Sequence, residues 1–151
     1  MSEAAKRKLP ILEPETAFFW TSGQSGKLHI QRCGDCGHWQ HPPLPCCPVC
    51  HQQNVTPQPV SGRGRVATFT INYESWLPNM TVPFVFAAIE LDEQPELYVF
   101  SNVLCATDKV NIGDEIKIGM RVQVYFEQHD DIYLPLFQPE GLSQPWNLNH
   151  G

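Results

Sequence analysis

The spacing of hydrophobic and polar residues predicts five β-strands in the second half of the chain. From Ala67 to Tyr73, apolar and polar residues alternate, and the later segments are short apolar or alternating runs bounded by turn residues. Period-2 alternation and short apolar runs are typical of strands. The predicted strands cover 67–73, 84–91, 97–104, 122–126 and 132–137.

A long connection over 106–119 separates the third strand from the fourth and contains one predicted helical turn near Asp108–Asn111. Short turns join the second and third strands and the fourth and fifth strands, which predicts two hairpins. The segment Ser61–Gly64 is predicted to be a turn or bulge before the first strand. Five strands with this break match an OB-type barrel, a pattern that other small barrels share.

Ahead of the barrel, Pro14 and Glu15 mark the start of a helix that should end near Gly23 or Gly26. Three adjacent aromatic residues, Phe18–Trp20, cannot all face one side of a short helix, so we expect more than one surface to cover them, including that of another chain. A short strand at Leu28–Ile30 then leads to the first cysteine.

Fourteen prolines and ten glycines spread over 151 residues favour many short elements joined by turns. Two Cys-x-x-Cys pairs, at 33/36 and 47/50, lie between the helix and the barrel. The predicted fold class is therefore mainly β, with an N-terminal helix and a rubredoxin-like zinc ribbon in front of a five-stranded OB-type barrel. The predicted segments are a flexible arm (1–14), the helix plus zinc ribbon (15–60), the barrel (61–138) and a C-terminal tail (139–151).

Two Cys-x-x-Cys pairs predict a metal site formed by Cys33, Cys36, Cys47 and Cys50. Two intervening residues let a tight turn direct both sulfurs at one ion, and a second turn completes a tetrahedron of thiolates. Because four thiolates leave no open coordination position, the predicted zinc is structural. Iron fits the same four sulfurs and stays an alternative.

Other cysteines and histidines offer weaker ligand sets. Cys46 adjoins Cys47, but its spacing to Cys50 breaks the two-residue pattern. His38, His41 and His51 are possible substitutes and are expected instead to be surface histidines. Cys105, alone at the end of an apolar strand, is expected to be a buried and inert thiol.

The net charge of −6 argues against a nucleic-acid or membrane partner. From residue 9 onward the chain has 7 basic and 15 acidic side chains, so the body carries a charge near −8. An acidic body lacks the attraction for phosphates that dominates nucleic-acid affinity. No apolar run approaches the length of a membrane span, and the start of the chain has no signal-peptide core, so we expect a cytoplasmic protein.

The sequence also lacks the common catalytic signatures. It contains no nucleophile elbow, no phosphate-binding glycine loop and no His-Glu-x-x-His helix, and the cluster His129–Asp131 falls in a predicted turn. The loop Glu74–Val82 is unusually apolar. Trp76, Leu77 and Met80 in this loop suit a partner surface or an acyl chain, or they fold back over the mouth of the barrel.

The chain resembles a known family, the zinc-ribbon plus OB-fold proteins found beside thiolases and acyl-CoA enzymes, once classed as a domain of unknown function. The resemblance covers about residues 15 to 138, and it departs from the family pattern mainly at 21–26 and at His51, where the family usually has glycine. The shared motifs include Phe19-Trp20, Leu28–Cys33, Cys36-Gly37, Pro42-Pro43, Cys47–Cys50, Val60–Gly64, Ile89–Asp92 and Ile118–Val122.

The resemblance implies a non-catalytic subunit that docks on a thiolase, aldolase or acyltransferase in acyl-CoA β-oxidation or acyl transfer, and that meets a CoA ester through its partner. The alternatives are a free-standing acyl-CoA carrier and an OB-fold single-stranded nucleic-acid binder. The residues expected to contact the partner or the acyl-CoA are Phe18, Phe19, Trp20, Arg63, Trp76, Leu77 and Met80.

Overall fold

The computed structural model describes residues 8–76, 82–104 and 115–140. A short helix, α1 (Ala17–Thr21), continues into a 3₁₀ helix over Ser22–Ser25 and ends at Gly26, whose φ is 77°. A left-handed residue after the last turn stops a helix, and glycine adopts that conformation without a steric penalty. The predicted helix and its end at Gly26 are confirmed.

The cysteine segment forms a small antiparallel sheet with the strand order β2-β1-β3. Its strands are β1 (His29–Cys33), β2 (Trp39–Gln40) and β3 (Val55–Pro59). Sequence analysis predicted only β1, because β2 has two residues and β3 contains Pro57 and Pro59. Proline has no amide hydrogen to donate, and β3 tolerates both prolines because it is an edge strand of this sheet.

The five predicted strands form a closed barrel in the order β4-β5-β6-β8-β7, which confirms the OB-type fold. All neighbours pair antiparallel except β6 and β8, which pair in parallel through Val103 and Phe137. The strands are β4 (Arg63–Asn72), β5 (Phe84–Leu91), β6 (Tyr98–Val103), β7 (Arg121–His129) and β8 (Ile132–Pro139).

The start and end of β4 differ from the prediction. The strand begins at Arg63, so the expected turn is confined to Ser61 and Gly62, and the register shift falls between Val66 and Thr68 instead. Arg63 pairs with β7, and Gly64 and Arg65 pair with both β5 and β7, which extends the strand into the glycine-rich segment. At its other end β4 stops at Asn72 and leaves Tyr73 exposed.

One continuous hydrophobic core joins the ribbon to the barrel. Phe19 from α1, Leu28 and Ile30 from the ribbon, and Val66 and Phe137 from the barrel belong to the same buried cluster. The 3₁₀ helix adds to this junction, since a Cβ on Gly23 would lie 2.5 Å from that of Tyr133 in β8. The ribbon therefore packs against the barrel as part of its core.

The turn between β5 and β6 holds the ribbon through polar contacts. The side-chain amide of Gln94 accepts a hydrogen bond from the amide of Trp39 at 3.0 Å and donates one to the Trp39 carbonyl at 2.8 Å. The neighbouring Glu93 carboxylate accepts a 2.8 Å bond from the amide of Ser61 in the connecting segment. Gln94 thus pairs with β2 as an additional strand would and fixes the ribbon against the barrel.

Strand β8 extends to Pro139, one residue into the predicted tail. The predictions that lie outside the described residues include the helical turn at Asp108–Asn111, the state of Cys105 and the tail from residue 141 onward. Among the described residues, no helix is both long enough and apolar enough to cross a membrane.

Candidate metal centre

The four predicted ligands converge at one end of the ribbon. Cys33 is the last residue of β1 and Cys36 follows in the turn to β2, whereas Cys47 and Cys50 lie in the loop before β3. All four sulfur atoms lie within 4.8 Å of one another. The Sγ atoms of Cys33 and Cys50 are 3.5 Å apart, and those of Cys36 and Cys47 are 3.6 Å apart. Tetrahedral zinc with bonds of about 2.3 Å separates its sulfurs by about 3.8 Å, so the four cysteines fit this ion.

The two Cys-x-x-Cys turns have the same backbone design. In the first turn the amide of Gly37 donates to the Cys33 carbonyl at 2.9 Å, and in the second the amide of His51 donates to the Cys47 carbonyl at 2.9 Å. Gly37 has a φ of 80° and His51 a φ of 64°. His51 therefore occupies the left-handed position that glycine fills in the first turn.

Backbone amides and burial set the pKa values of the thiols. Burial raises the pKa of Cys47, but the amides of Cys50 and Val49, 3.5 and 3.4 Å from its sulfur, help to lower that pKa to about 7. The amide of Gln52 lowers the pKa of Cys50, yet burial and the neighbouring thiols outweigh it and raise the pKa to about 12. Four thiols this close do not all ionise without a cation, and a bound zinc ion would meet that need.

The left-handed residues allow a paired stability prediction. His51→Gly should raise the free energy of unfolding by about 0.5–1 kcal/mol. Glycine removes the steric penalty of the left-handed conformation, and this gain exceeds the stability lost because glycine makes the unfolded chain more flexible. Gly37→Ala should lower it by about 1 kcal/mol through the same penalty. Urea denaturation with zinc present measures both changes. Equal signs for the two variants would contradict a shared turn design.

The alternative ligands stay outside the cluster. Cys46 is not in the group of four sulfurs, although it adjoins Cys47. The expectation of a surface histidine is wrong for His41, whose ring packs 4.7 Å from that of Phe19. Its Nδ1 atom is buried and has no hydrogen-bond partner among the residues that the structure describes. Burial lowers the pKa of His41 to about 4.

His41 should make the protein less stable in acid. The unfolded chain binds a proton at this histidine below about pH 6.5, while the folded chain does so only near pH 4. The free energy of unfolding should therefore fall as the pH drops from about 6.5 to about 4, by up to about 3 kcal/mol. His41→Phe should remove this loss while leaving zinc-linked acid sensitivity in place. Urea denaturation at pH 7 and pH 5 measures the change in the free energy of unfolding for both proteins. The same change in the unaltered chain and in His41→Phe would contradict the role of His41.

The predicted contact residues are divided between the core and the surface. Phe19 is buried and meets Trp20 edge to face at 4.8 Å, and both Trp20 and Phe18 pack against the core. The chain itself thus covers much of the aromatic cluster. Arg63 is exposed and Trp76 has 70% of its surface exposed, so Trp76 does not close the mouth of the barrel. Leu77 and Met80 lie outside the described residues.

Sequence analysis missed two exposed aromatic residues of the barrel, Phe86 and Phe100. The apolar runs that contain them predict strands but do not show which side chains face outward. Along β5, however, the more exposed residues are Phe84, Phe86 and Glu90, which share one face with the small, buried Ala88. Residues 86 and 90 lie on the same face of a strand because side chains alternate between its two faces. The charged side chain of Glu90 could therefore have indicated from sequence that Phe86 faces outward.

The fold and the cysteine cluster define a zinc-ribbon plus OB-fold protein, and comparison with protein families agrees. Residues 20–56 match the rubredoxin-like zinc ribbon domain of ChsH2, and residues 57–127 match the C-terminal OB-fold domain of ChsH2. The two matches together cover more than half of the chain. The chain belongs to the ChsH2 family of zinc-ribbon and OB-fold proteins, also called DUF35.

The relatives include subunits of acyl-CoA enzymes. The chain is 32% identical over 89% of its length to a probable enoyl-CoA hydratase alpha subunit of Thermomonospora curvata, of which it spans only 40%. It is 29% identical over 78% of its length to the benzoylsuccinyl-CoA thiolase subunit BbsA of Thauera aromatica and spans 85% of that subunit. A solved chain of the Ltp2-ChsH2(DUF35) aldolase matches with a TM-score of 0.74 and 29% identity, over 87% of this chain and 98% of that one.

Proposed function

We propose that this chain is a non-catalytic, zinc-containing subunit of a thiolase-like complex, a thiolase, an aldolase or an acyltransferase, that acts on an acyl-CoA. The observation that carries the proposal is the structural match to the Ltp2-ChsH2(DUF35) aldolase, because almost the whole of that matched chain aligns with this one. The benzoylsuccinyl-CoA thiolase subunit supports the same class of partner.

The geometry of the cysteine cluster favours a structural role for the metal. Four sulfurs would occupy all four positions of a tetrahedral zinc ion and leave none for a substrate or a water. The zinc would hold the two turns that flank β2, and the ribbon shares its core with the barrel. Cysteines that bind a metal ion in place of forming disulfides are typical of a reducing compartment, so we propose that the complex is cytoplasmic.

Two pairs of ionisable side chains in the described ranges lie at the surface, which supports a non-catalytic role for this chain. Arg65 and Glu90 pair at 2.6 Å on the outside of the barrel. His129 contacts Glu127 at 2.7 Å beside a hairpin turn, as the sequence suggested. In our proposal the partner supplies the nucleophile, and this barrel helps to shape the entrance for CoA.

Acyl-CoA turnover tests the proposal. The thiolase-like protein encoded beside this chain is purified alone and after co-expression with it, and each sample is assayed with a panel of acyl-CoA esters. We expect this chain alone to show no turnover and the co-purified pair to exceed the partner alone in activity or solubility. Turnover by this chain alone, or full activity and solubility of the partner without it, would refute the proposal. Tight binding of an acyl-CoA by the isolated chain would favour a free-standing carrier instead.

A further inference from the structure

The outer surface of the barrel carries a pair of stacked phenylalanines. Phe86 in β5 and Phe100 in β6 have ring centroids 6.2 Å apart and planes inclined by 16°. Their side chains are 45% and 63% exposed. Exposing an aromatic pair to solvent costs free energy, and exposed apolar patches mark interaction sites. We therefore expect another molecular surface to cover this pair.

The surroundings of this pair are uncharged. In the strand register, Phe86 lies between Thr70 and Asn102, and Phe100 lies opposite Ala88. Beyond Ala88 the same face of β5 continues to Glu90, whose carboxylate pairs with Arg65 at 2.6 Å. The face therefore offers aromatic and small polar groups and has no charge at its centre.

Two further exposed aromatic residues follow β4, the strand that pairs with β5 beside Phe86. Tyr73 and Trp76 follow the end of β4, where Asn72 pairs with Phe84, and they are 66% and 70% exposed. We define the aromatic face as Tyr73, Trp76, Phe86 and Phe100. At about 200 Å² per side chain, it leaves about 500 Å² of aromatic surface in solvent. A stable interface buries about 800 Å² on each partner, so the face is large enough to form its apolar centre.

We propose that the aromatic face is the docking surface for the thiolase-like partner and that it receives an uncharged, apolar patch of that protein. This inference rests on the proposed function. The face belongs to the second and third strands of the barrel, where OB folds bind their ligands. Single-stranded nucleic acid is disfavoured because stacking on such a face works together with a basic groove, and this chain carries a net charge of −6. The same charge opposes a second copy of the chain.

Calorimetric titration of the purified thiolase-like protein encoded beside this chain tests the inference. Phe100→Ser should weaken the affinity by about 30-fold if the ring is a central anchor, and Phe86→Ser should weaken it less because that ring is less exposed. The matched control is Ile118→Ser, which changes an apolar side chain of similar exposure, 69%, outside the aromatic face. It should change the affinity by less than about 3-fold. Thermal unfolding and zinc content should be unchanged in all three variants.

The outcomes separate this inference from the proposed function. If the unaltered chain binds and Phe100→Ser binds equally well, the docking surface is wrong and the proposed function stands. If the unaltered chain does not bind at micromolar concentration, both are wrong. Sedimentation of this chain alone as a dimer that Phe100→Ser dissociates would assign the face to a second copy. Submicromolar binding of single-stranded DNA that Phe100→Ser abolishes would assign it to nucleic acid.

Discussion

Replacing Cys33 or Cys50 with serine should remove the bound zinc and unfold the ribbon. The four sulfurs lie within 4.8 Å of one another, so the loss of one leaves three ligands for an ion that structural sites hold with four. Structural zinc sites contribute on the order of 10–16 kcal/mol, which matches or exceeds the total stability of an ordinary domain. Because Leu28 and Ile30 of the ribbon belong to the shared core, the barrel should also lose stability.

The neighbouring Cys46 provides the control for this experiment. Cys46→Ser alters a cysteine next to a ligand but outside the cluster, so zinc content and folding should stay as in the unaltered chain. Elemental analysis should find about one zinc per chain, and amide NMR spectra should report the order of the ribbon. Zinc loss in Cys46→Ser with retention in Cys33→Ser would contradict the ligand assignment, and iron in place of zinc would correct the metal.

Gly64→Ala should destabilise the barrel by about 3 kcal/mol or more. Gly64 pairs with Leu91 on one side and Val122 on the other, at the place where β4 joins two neighbouring strands. An added Cβ would overlap the backbone carbonyl of Glu90, and a backbone group in a paired strand cannot move aside as the end of a flexible side chain can. The added Cβ can be accommodated only if β4 and β5, two strands of the closed barrel, move apart.

A second glycine separates this overlap from a general effect of alanine. Gly119 has a φ of 89°, and no described residue beyond its chain neighbours lies within 4 Å of an added Cβ, so Gly119→Ala should cost only the left-handed penalty of about 1–2 kcal/mol. Urea denaturation of both variants gives the comparison. A cost below about 1 kcal/mol for Gly64→Ala, or a larger cost for Gly119→Ala, would show that the strand junction is more adaptable than the structure indicates.

The barrel was largely predictable from sequence because its signals are local. Period-2 alternation and short apolar runs predicted the strands, and the Cys-x-x-Cys spacing predicted the four cysteines whose sulfurs the fold brings together. Strands β2 and β3 were not predictable in this way, since two residues carry no period and Pro57 and Pro59 oppose a strand until its edge position is known.

The surfaces were less predictable because exposure depends on tertiary packing. The cluster Phe18–Trp20 is conspicuous in sequence, yet α1 packs it against the core. Phe86 and Phe100 lie in apolar runs in which the sequence alone does not separate inward from outward residues, and the barrel shows that both side chains face outward. His41 was similarly expected at the surface, and its contact with Phe19 depends on how the ribbon meets the helix.

Native mass spectrometry of the pair purified after co-expression tests the central claim most directly, since it counts both protein chains and metal ions. The account predicts a single assembly that contains this chain and its thiolase-like partner, with one zinc ion for each copy of this chain. Two separate masses at micromolar concentration, or an assembly in which this chain carries no metal, would contradict it.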